Sequence, residues 1–274
     1  MNGAIYLNGS TLMTTPTEAV VSIARAAGFS GIEARAERLL RNPEEVRAAA
    51  SVALPGEVLT VNGVSLTLRR DGTVDRELLH TDVEARLALC NEIGARWLLA
   101  VAPRVPGLRA HHAMIGIHNA LELVLERAAV HNVRIAFEFL GFHDCPVNTP
   151  RLAGEAVEGF SSIGVVLDSC HWYASGSPPL DGFPVDRLAV VHVNDAPPKP
   201  LVEIEDSDRV LPGLGVIKLH ELVRELRSRR YTGPWSLETF NPFYWRDDPA
   251  AVAGAGAAAM TRLLEEDRTS EARA

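Results

Sequence analysis

Eight short apolar runs, rich in Val, Ile and Leu and each followed by a helix-patterned segment or a long loop, constrain most tightly what this 274-residue chain can fold into. The runs are Ala4 to Leu7, Gly31 to Ala34, Leu59 to Ser65, Trp97 to Val101, Val133 to Phe139, Ile163 to Asp168, Leu188 to Asn194 and Trp235 to Thr239. Strands buried on both faces read this way in parallel sheets, and eight is the number that closes a (β/α)8 barrel. Between them the spacing predicts helices over Thr17–Ala27, Pro43–Val52 with Asn42 as its cap, Asp75–Ile93, His112–His131, Pro150–Val157, Ile217–Arg229 and Pro249–Leu264. No Pro/Gly/Ser-rich linker interrupts the pattern. The expectation is an α/β protein, a single (β/α)8 TIM barrel over residues 1–266, with a polar tail over 267–274.

An open doubly wound sheet is the main competitor, and it requires a glycine-rich phosphate loop between its first strand and helix. The first loop, Asn8 to Pro16, contains only Gly9. Gly254-Ala-Gly256-Ala-Ala-Ala259 fits the spacing G-x-G-x-x-A but lies inside the last helical segment, where it reads as small-residue helix packing. Gly213-Leu-Gly215 lacks a third glycine and reads as a loop.

Composition narrows the function. With 27 Lys+Arg against 35 Asp+Glu and no basic block, the formal charge of −8 argues against nucleic acid as a partner. The N-terminal residues lack a leader pattern and no run of about 20 apolar residues occurs, so a cytoplasmic protein without a membrane association is expected. Cys90, Cys145 and Cys170 are odd in number and too widely spaced for a disulfide framework or a CxxC site. The oligomeric state stays open, a homo-oligomer included.

Four consecutive strands end on an ionisable residue: Glu138 on the fifth, Asp168 on the sixth, His192 on the seventh and Glu238 on the eighth. Barrel active sites are built at those strand ends. Singly, each has an ordinary reading: a carboxylate at a solvated rim, Asp168 capping the next turn, His192 hydrogen-bonded in the core. Together, three carboxylates at one mouth would repel each other and lose hydration. A cation resolves the conflict, and three oxygen donors with one imidazole suit one divalent ion, Mn2+, Co2+, Mg2+ or Zn2+.

Other residues sit where a polyhydroxylated small molecule would bind. His171 follows Asp168 by three positions, against the alternative that it caps a short helix. Arg209 lies in the long seventh loop, Asp195 to Val216, placed to fold over the mouth or to stand as a surface charge. Glu33, Arg35, Asn62 and Arg104 lie at or just beyond the ends of earlier strands and are candidates for the far wall. Trp172, Tyr173, Phe243, Tyr244 and Trp245 cluster after the sixth and eighth strands, to shape a pocket or to pack.

The stretches IAFEFLGFHDCPVNT (Ile135 to Thr149), IGVVLDSCHWYASG (Ile163 to Gly176), VVHVNDAP (Val190 to Pro197), DRVLPGLGVIKL (Asp208 to Leu219) and WSLETFNPFYW (Trp235 to Trp245) resemble, in this order, the xylose-isomerase-like barrel family of sugar isomerases and epimerases, most nearly its keto-inositol branch. The resemblance implies that Glu138, Asp168, His192 and Glu238 are metal ligands and that His171 and Arg209 contact substrate oxygens. It implies an isomerase of inositol catabolism that moves a carbonyl to the adjacent carbon of a polyol ketone through an enediolate. Glu138 and Glu238 are then candidates for acid and base, with His171 polarising an oxygen. Ketose 3-epimerisation, 3-dehydroshikimate dehydration and a non-catalytic sugar-binding barrel are the alternatives. Leu214 stands between the two glycines of the seventh loop, where relatives often carry an acidic or amide residue.

Overall fold

The computed structural model describes residues 3–271, with side chains up to residue 265. Strands β1 (Ile5–Asn8), β2 (Ile32–Arg35), β3 (Val58–Ser65), β4 (Trp97–Val101), β5 (Arg134–Glu138), β6 (Gly164–Asp168), β7 (Leu188–Val193) and β8 (Trp235–Leu237) pair in parallel in chain order. Pairing of β1 with β8 closes the barrel, as the eight apolar runs predict. The helices are α1 (Thr17–Ala27), α2 (Ala36–Leu40), α3 (Pro43–Val52), α4 (Arg76–Ile93), α5 (Ala110–His131), α6 (Pro150–Ala156), α7 (Ser169–Ala174), α8 (Leu219–Ser228) and α9 (Pro249–Glu271). Among the described residues, no helix is long and apolar enough to cross a membrane.

Local chemistry sets the helix ends. Gly28, at φ 91°, stops α1 in a left-handed turn that a Cβ would disfavour. Asn42 does not cap α3: its amide donates to Glu45 Oε2 at 3.3 Å, and no side-chain cap forms. Glu45 instead serves α1, accepting from Thr17 N and Thr17 Oγ1 at 2.7 Å each. The short α2 and α7, five and six residues long, were beyond the reach of periodicity. The backbone of α9 runs past Leu264 to Glu271, because Glu and Arg extend a helix after its apolar stripe has ended. The last part of the expected polar tail, 272–274, lies outside the described residues.

Alternation along the strands builds both the core and the site. Ile135, Phe137, Val165, Leu167, Val191, Val193 and Leu237 face outward into the layer shared with the helices. Tyr6, Leu59, Leu99, Ala136, Val166 and Val190 fill the barrel interior as an apolar floor. Two residues further on, the same inward phase delivers Asn8, Glu138, Asp168 and His192 above that floor. The Gly254–Ala259 spacing lies within α9, as packing requires: a Cβ on Gly256 would stand 2.3 Å from Leu237 Cδ2 on β8.

Candidate metal centre

Glu138, Asp168, His192 and Glu238 meet at the C-terminal end of the barrel, all buried, with one ligand atom from each within 4.8 Å of the others. Such atoms lie about 3–4 Å apart around an ion with bonds of roughly 2.1 Å, so a small contraction brings the set to coordination distance. His192 turns Nδ1 to the cluster, 3.0 Å from both Glu138 Oε1 and Glu238 Oε2. Its Nε2 points away, 3.1 and 3.2 Å from the two oxygens of Glu33. Burial disfavours charge on this ring, but the carboxylates of Glu238, Glu33 and Glu138 outweigh it and raise the His192 pKa well above its ordinary value. So many carboxylates with so few cations make a donor set that a divalent ion would balance, and the residues present fit one.

The two glutamates differ in their partners. Glu238 Oε1 accepts from Asn8 Nδ2 at 2.9 Å and Asn62 Nδ2 at 3.1 Å, while Oε2 accepts from Arg209 Nη1 at 2.8 Å. Burial opposes its ionisation, yet His192 and Arg209 hold its carboxyl far below the usual range. Glu138 has one side-chain hydrogen bond among the described residues, to His192, and burial pushes it up to about 7.

Asp168 caps the turn that follows it and stands in the cluster. Its Oδ1 accepts from His171 N at 2.8 Å and so caps α7, while Oδ2 accepts from Asn194 Nδ2 at 2.8 Å and Arg209 Nη1 at 3.1 Å. Gly141 lets the loop after β5 cross this turn, since a Cβ there would stand 1.9 Å from His171 O. Phe142 from the same loop meets the His171 ring edge-on at 4.9 Å.

Arg209, 1% exposed, also reaches Asp206 Oδ1 at 2.6 Å and His171 Nε2 at 3.0 Å. Asp195 fixes the loop that carries it. The Asp195 carboxylate accepts four backbone N–H groups, from Ala196 and Ile217 at 2.9 Å and from Gly213 and Gly215 at 3.0 Å. Its main chain pairs with Val210, the neighbour of Arg209. Leu214 is 68% exposed at the tip of this turn and does not line the pocket.

A pocket of 250 Å³ opens on the cluster, walled by Arg35, Glu37, Asn62, Ser65, Glu138, Leu140, His171, Asp206, Arg209, Glu238 and Phe240, among others. Both Arg35 and Arg209 lie over the Phe240 ring, 5.1 and 5.2 Å from its centroid. The sequence reading reached Asn62, His171, Arg209 and Arg35 but missed Phe240, Asp206 and Glu37. It also missed Asn8 and Asn194, each two residues beyond an inward-facing residue, Tyr6 and His192, which is the signal that finds them.

Two expected wall residues stand elsewhere. Glu33 is fully buried beneath His192, one layer below the wall. Arg104 does not line the pocket: it pairs with Asp144 at 3.0 Å and Glu205 at 3.1 Å and stacks on Phe142, joining three loops. The aromatic cluster does not line the pocket either: Trp172 Nε1 donates to Pro178 O and Trp245 Nε1 to Ser10 O, each at 2.8 Å, and Phe243 is exposed. A larger groove of 740 Å³, lined by Arg151, Glu155, Asp181 and Arg187, lies among segments that lead into β6 and β7, on the face away from the strand ends.

A closed parallel barrel with three carboxylates and a histidine gathered at its strand ends is the class of protein defined here. The chain belongs to the xylose isomerase-like TIM barrel family, which it matches over residues 21–263. It is 36% identical over 132 residues to the inosose isomerase of Halalkalibacterium halodurans, a match that spans 47% of each chain. It is 28% identical over 195 residues to that of Bacillus subtilis, spanning 69% of each. A solved IOLI protein with a bound zinc atom superposes with a TM-score of 0.85 over 96% of this chain and 98% of that one, at 21% identity.

Proposed function

We propose that this chain is a divalent-metal-dependent isomerase that moves a carbonyl between adjacent carbons of a keto-inositol. The observation that carries the reading is the convergence of Glu138, Asp168, His192 and Glu238 on one point at the floor of a small polar pocket. The relatives named inosose isomerase support the substrate class. Three oxygens and an imidazole suit Mn2+, Co2+, Mg2+ or Zn2+, and the zinc of the IOLI protein is in keeping with that set. Held there, such an ion supplies Lewis acidity toward the substrate carbonyl and its neighbouring hydroxyl.

The protein's own groups handle the proton. Glu138, whose one side-chain hydrogen bond among the described residues is to His192, takes the proton from the hydroxyl-bearing carbon and returns it to the former carbonyl carbon, while the hydroxyl proton passes to the former carbonyl oxygen. The enediolate formed between these steps carries negative charge on oxygen. His171, which lines the pocket, and the Arg209 guanidinium held against it supply polar groups beside that charge. Glu238, tied at both oxygens, stays ionised and holds the donor set in place. Asn62 and Arg35 offer donors to the remaining hydroxyls.

An uncharged substrate suits the wall. Arg35 has Glu37 at 3.4 Å and Arg209 has Glu238 at 2.8 Å, while Arg104 is spent on Asp144 and Glu205. Each of these three cations already has a carboxylate partner, which favours a polyol over 3-dehydroshikimate. We place the activity in the cytoplasm, in keeping with three buried free cysteines.

Proton NMR in D2O with Mn2+-loaded enzyme tests the reading against 2-keto-myo-inositol, fructose, psicose, tagatose and 3-dehydroshikimate. The expected result is deuterium exchange and carbonyl migration with 2-keto-myo-inositol. Inversion of a ketose centre instead marks an epimerase, and loss of water from 3-dehydroshikimate a dehydratase; either result without turnover of the cyclitol overturns the proposal.

A further inference from the structure

We infer that Glu33 is a positioning residue, holding the His192 ring with Nδ1 toward Glu138 and Glu238 and thereby setting how tightly the cluster binds a divalent ion. The inference deepens the proposed metal site and rests on it. Glu33 is 0% exposed and lines no part of the pocket, so it does not touch substrate. Its two oxygens lie 3.1 and 3.2 Å from His192 Nε2. An imidazole that gives one nitrogen to an ion must carry its proton on the other, and in a buried site that N–H needs an acceptor. Glu33 is that acceptor, and a carboxylate there also makes the ring a stronger donor to the ion.

The carboxylate is itself held. Thr60 Oγ1 donates to it at 2.7 Å and Asn8 Nδ2 at 3.2 Å. Asn8 is fixed in orientation because its Oδ1 accepts from Ser10 N at 3.0 Å, and the same Nδ2 also donates to Glu238 Oε1 at 2.9 Å. One amide thus ties Glu33 to a residue of the cluster, so that His192 and Glu238 are aligned from a single layer beneath them. The layer is set by strand register, with Asn8 opposite Glu33 and Glu33 opposite Thr60.

Calorimetric titration of the metal-free chain with Mn2+ at one pH tests this, using wild type, Glu33→Gln, Glu33→Ala and Thr60→Val. Glu33→Gln keeps the shape and an acceptor oxygen but removes the charge. Both Glu33 variants are expected to bind Mn2+ about 10–100-fold more weakly, and Thr60→Val to shift the same way by less. Once saturated with Mn2+, Glu33→Gln should keep its substrate KM within about threefold, because the residue acts behind the ring. Mn2+ affinity within twofold of wild type in a Glu33→Gln protein with unchanged circular dichroism overturns the inference. So does a KM raised tenfold or more at saturating Mn2+, which would put Glu33 on the substrate. A wild-type chain that takes up no Mn2+ overturns the metal site itself, and this inference falls with it.

Discussion

Arg209 Nη2 lies 3.0 Å from His171 Nε2, and this contact decides which nitrogen of the imidazole carries the proton. A guanidinium only donates, so Nε2 accepts and the proton rests on Nδ1. Burial lowers the His171 pKa and keeps the ring neutral. The tautomer is thereby fixed, with an Nδ1–H that meets no partner among the described residues. Arg209→Lys replaces a fork that meets Asp168, Glu238, Asp206 and His171 with a single ammonium that cannot serve all four. We expect kcat to fall by about 10²-fold or more with the fold intact, read from steady-state rates beside circular dichroism. A loss under threefold would show that Arg209 does not organise the site.

The unequal settings of Glu138 and Glu238 predict unequal variants. Glu138→Gln removes the proton carrier and should cut substrate C–H exchange in D2O by roughly 10²–10⁴-fold. Glu238→Gln leaves Asn8, Asn62 and Arg209 facing a neutral amide, whose NH2 then opposes at least one of these donors. It should act mainly on Mn2+ affinity, seen by titration. Equal exchange rates in Glu138→Gln and wild type would remove the residue from the chemistry.

Arg104 separates a substrate contact from a clasp between loops. Its pairs with Asp144 and Glu205 are half-exposed, and such pairs contribute about 0–1 kcal/mol to stability. Arg104→Ala should therefore raise KM by only a few-fold and hasten limited proteolysis within 195–216, the loop that the clasp holds. A loss of 10²-fold in kcat/KM would restore the direct role suggested by its position after β4.

Acid should release α1. Glu45 accepts from Thr17 N at the start of that helix and from Arg38, and although burial opposes ionisation these bonds hold its carboxyl below the ordinary value. A depressed folded pKa stabilises above the unfolded value near 4.5 and is lost as pH falls through the folded one. Glu45→Gln should cost about 1–2 kcal/mol at pH 7, with the difference from wild type vanishing in acid. Urea unfolding at pH 7 and pH 3 measures it, and a difference that persists at pH 3 contradicts the assignment.

How much could be read in advance follows from period-two geometry. The strand-end residues Glu138, Asp168 and His192 close apolar runs whose phase is unambiguous, so they were legible. Glu33 was misplaced because β2 runs one residue further than its apolar run, to Arg35. A shift of one residue flips a side chain to the other face and a shift of two lifts it a layer, so Arg35 and Asn62, not Glu33, reach the wall. Arg104 shows the other limit: its partners, Asp144 and Glu205, lie 40 and 101 residues away, and no local pattern records such pairings.

Anomalous X-ray diffraction from Zn2+-soaked crystals tests the central claim most directly. The account predicts one strong peak within about 2.0–2.3 Å of Glu138, Asp168, His192 Nδ1 and Glu238. A well-measured map with no peak among these four residues, or with zinc bound only elsewhere, would contradict it.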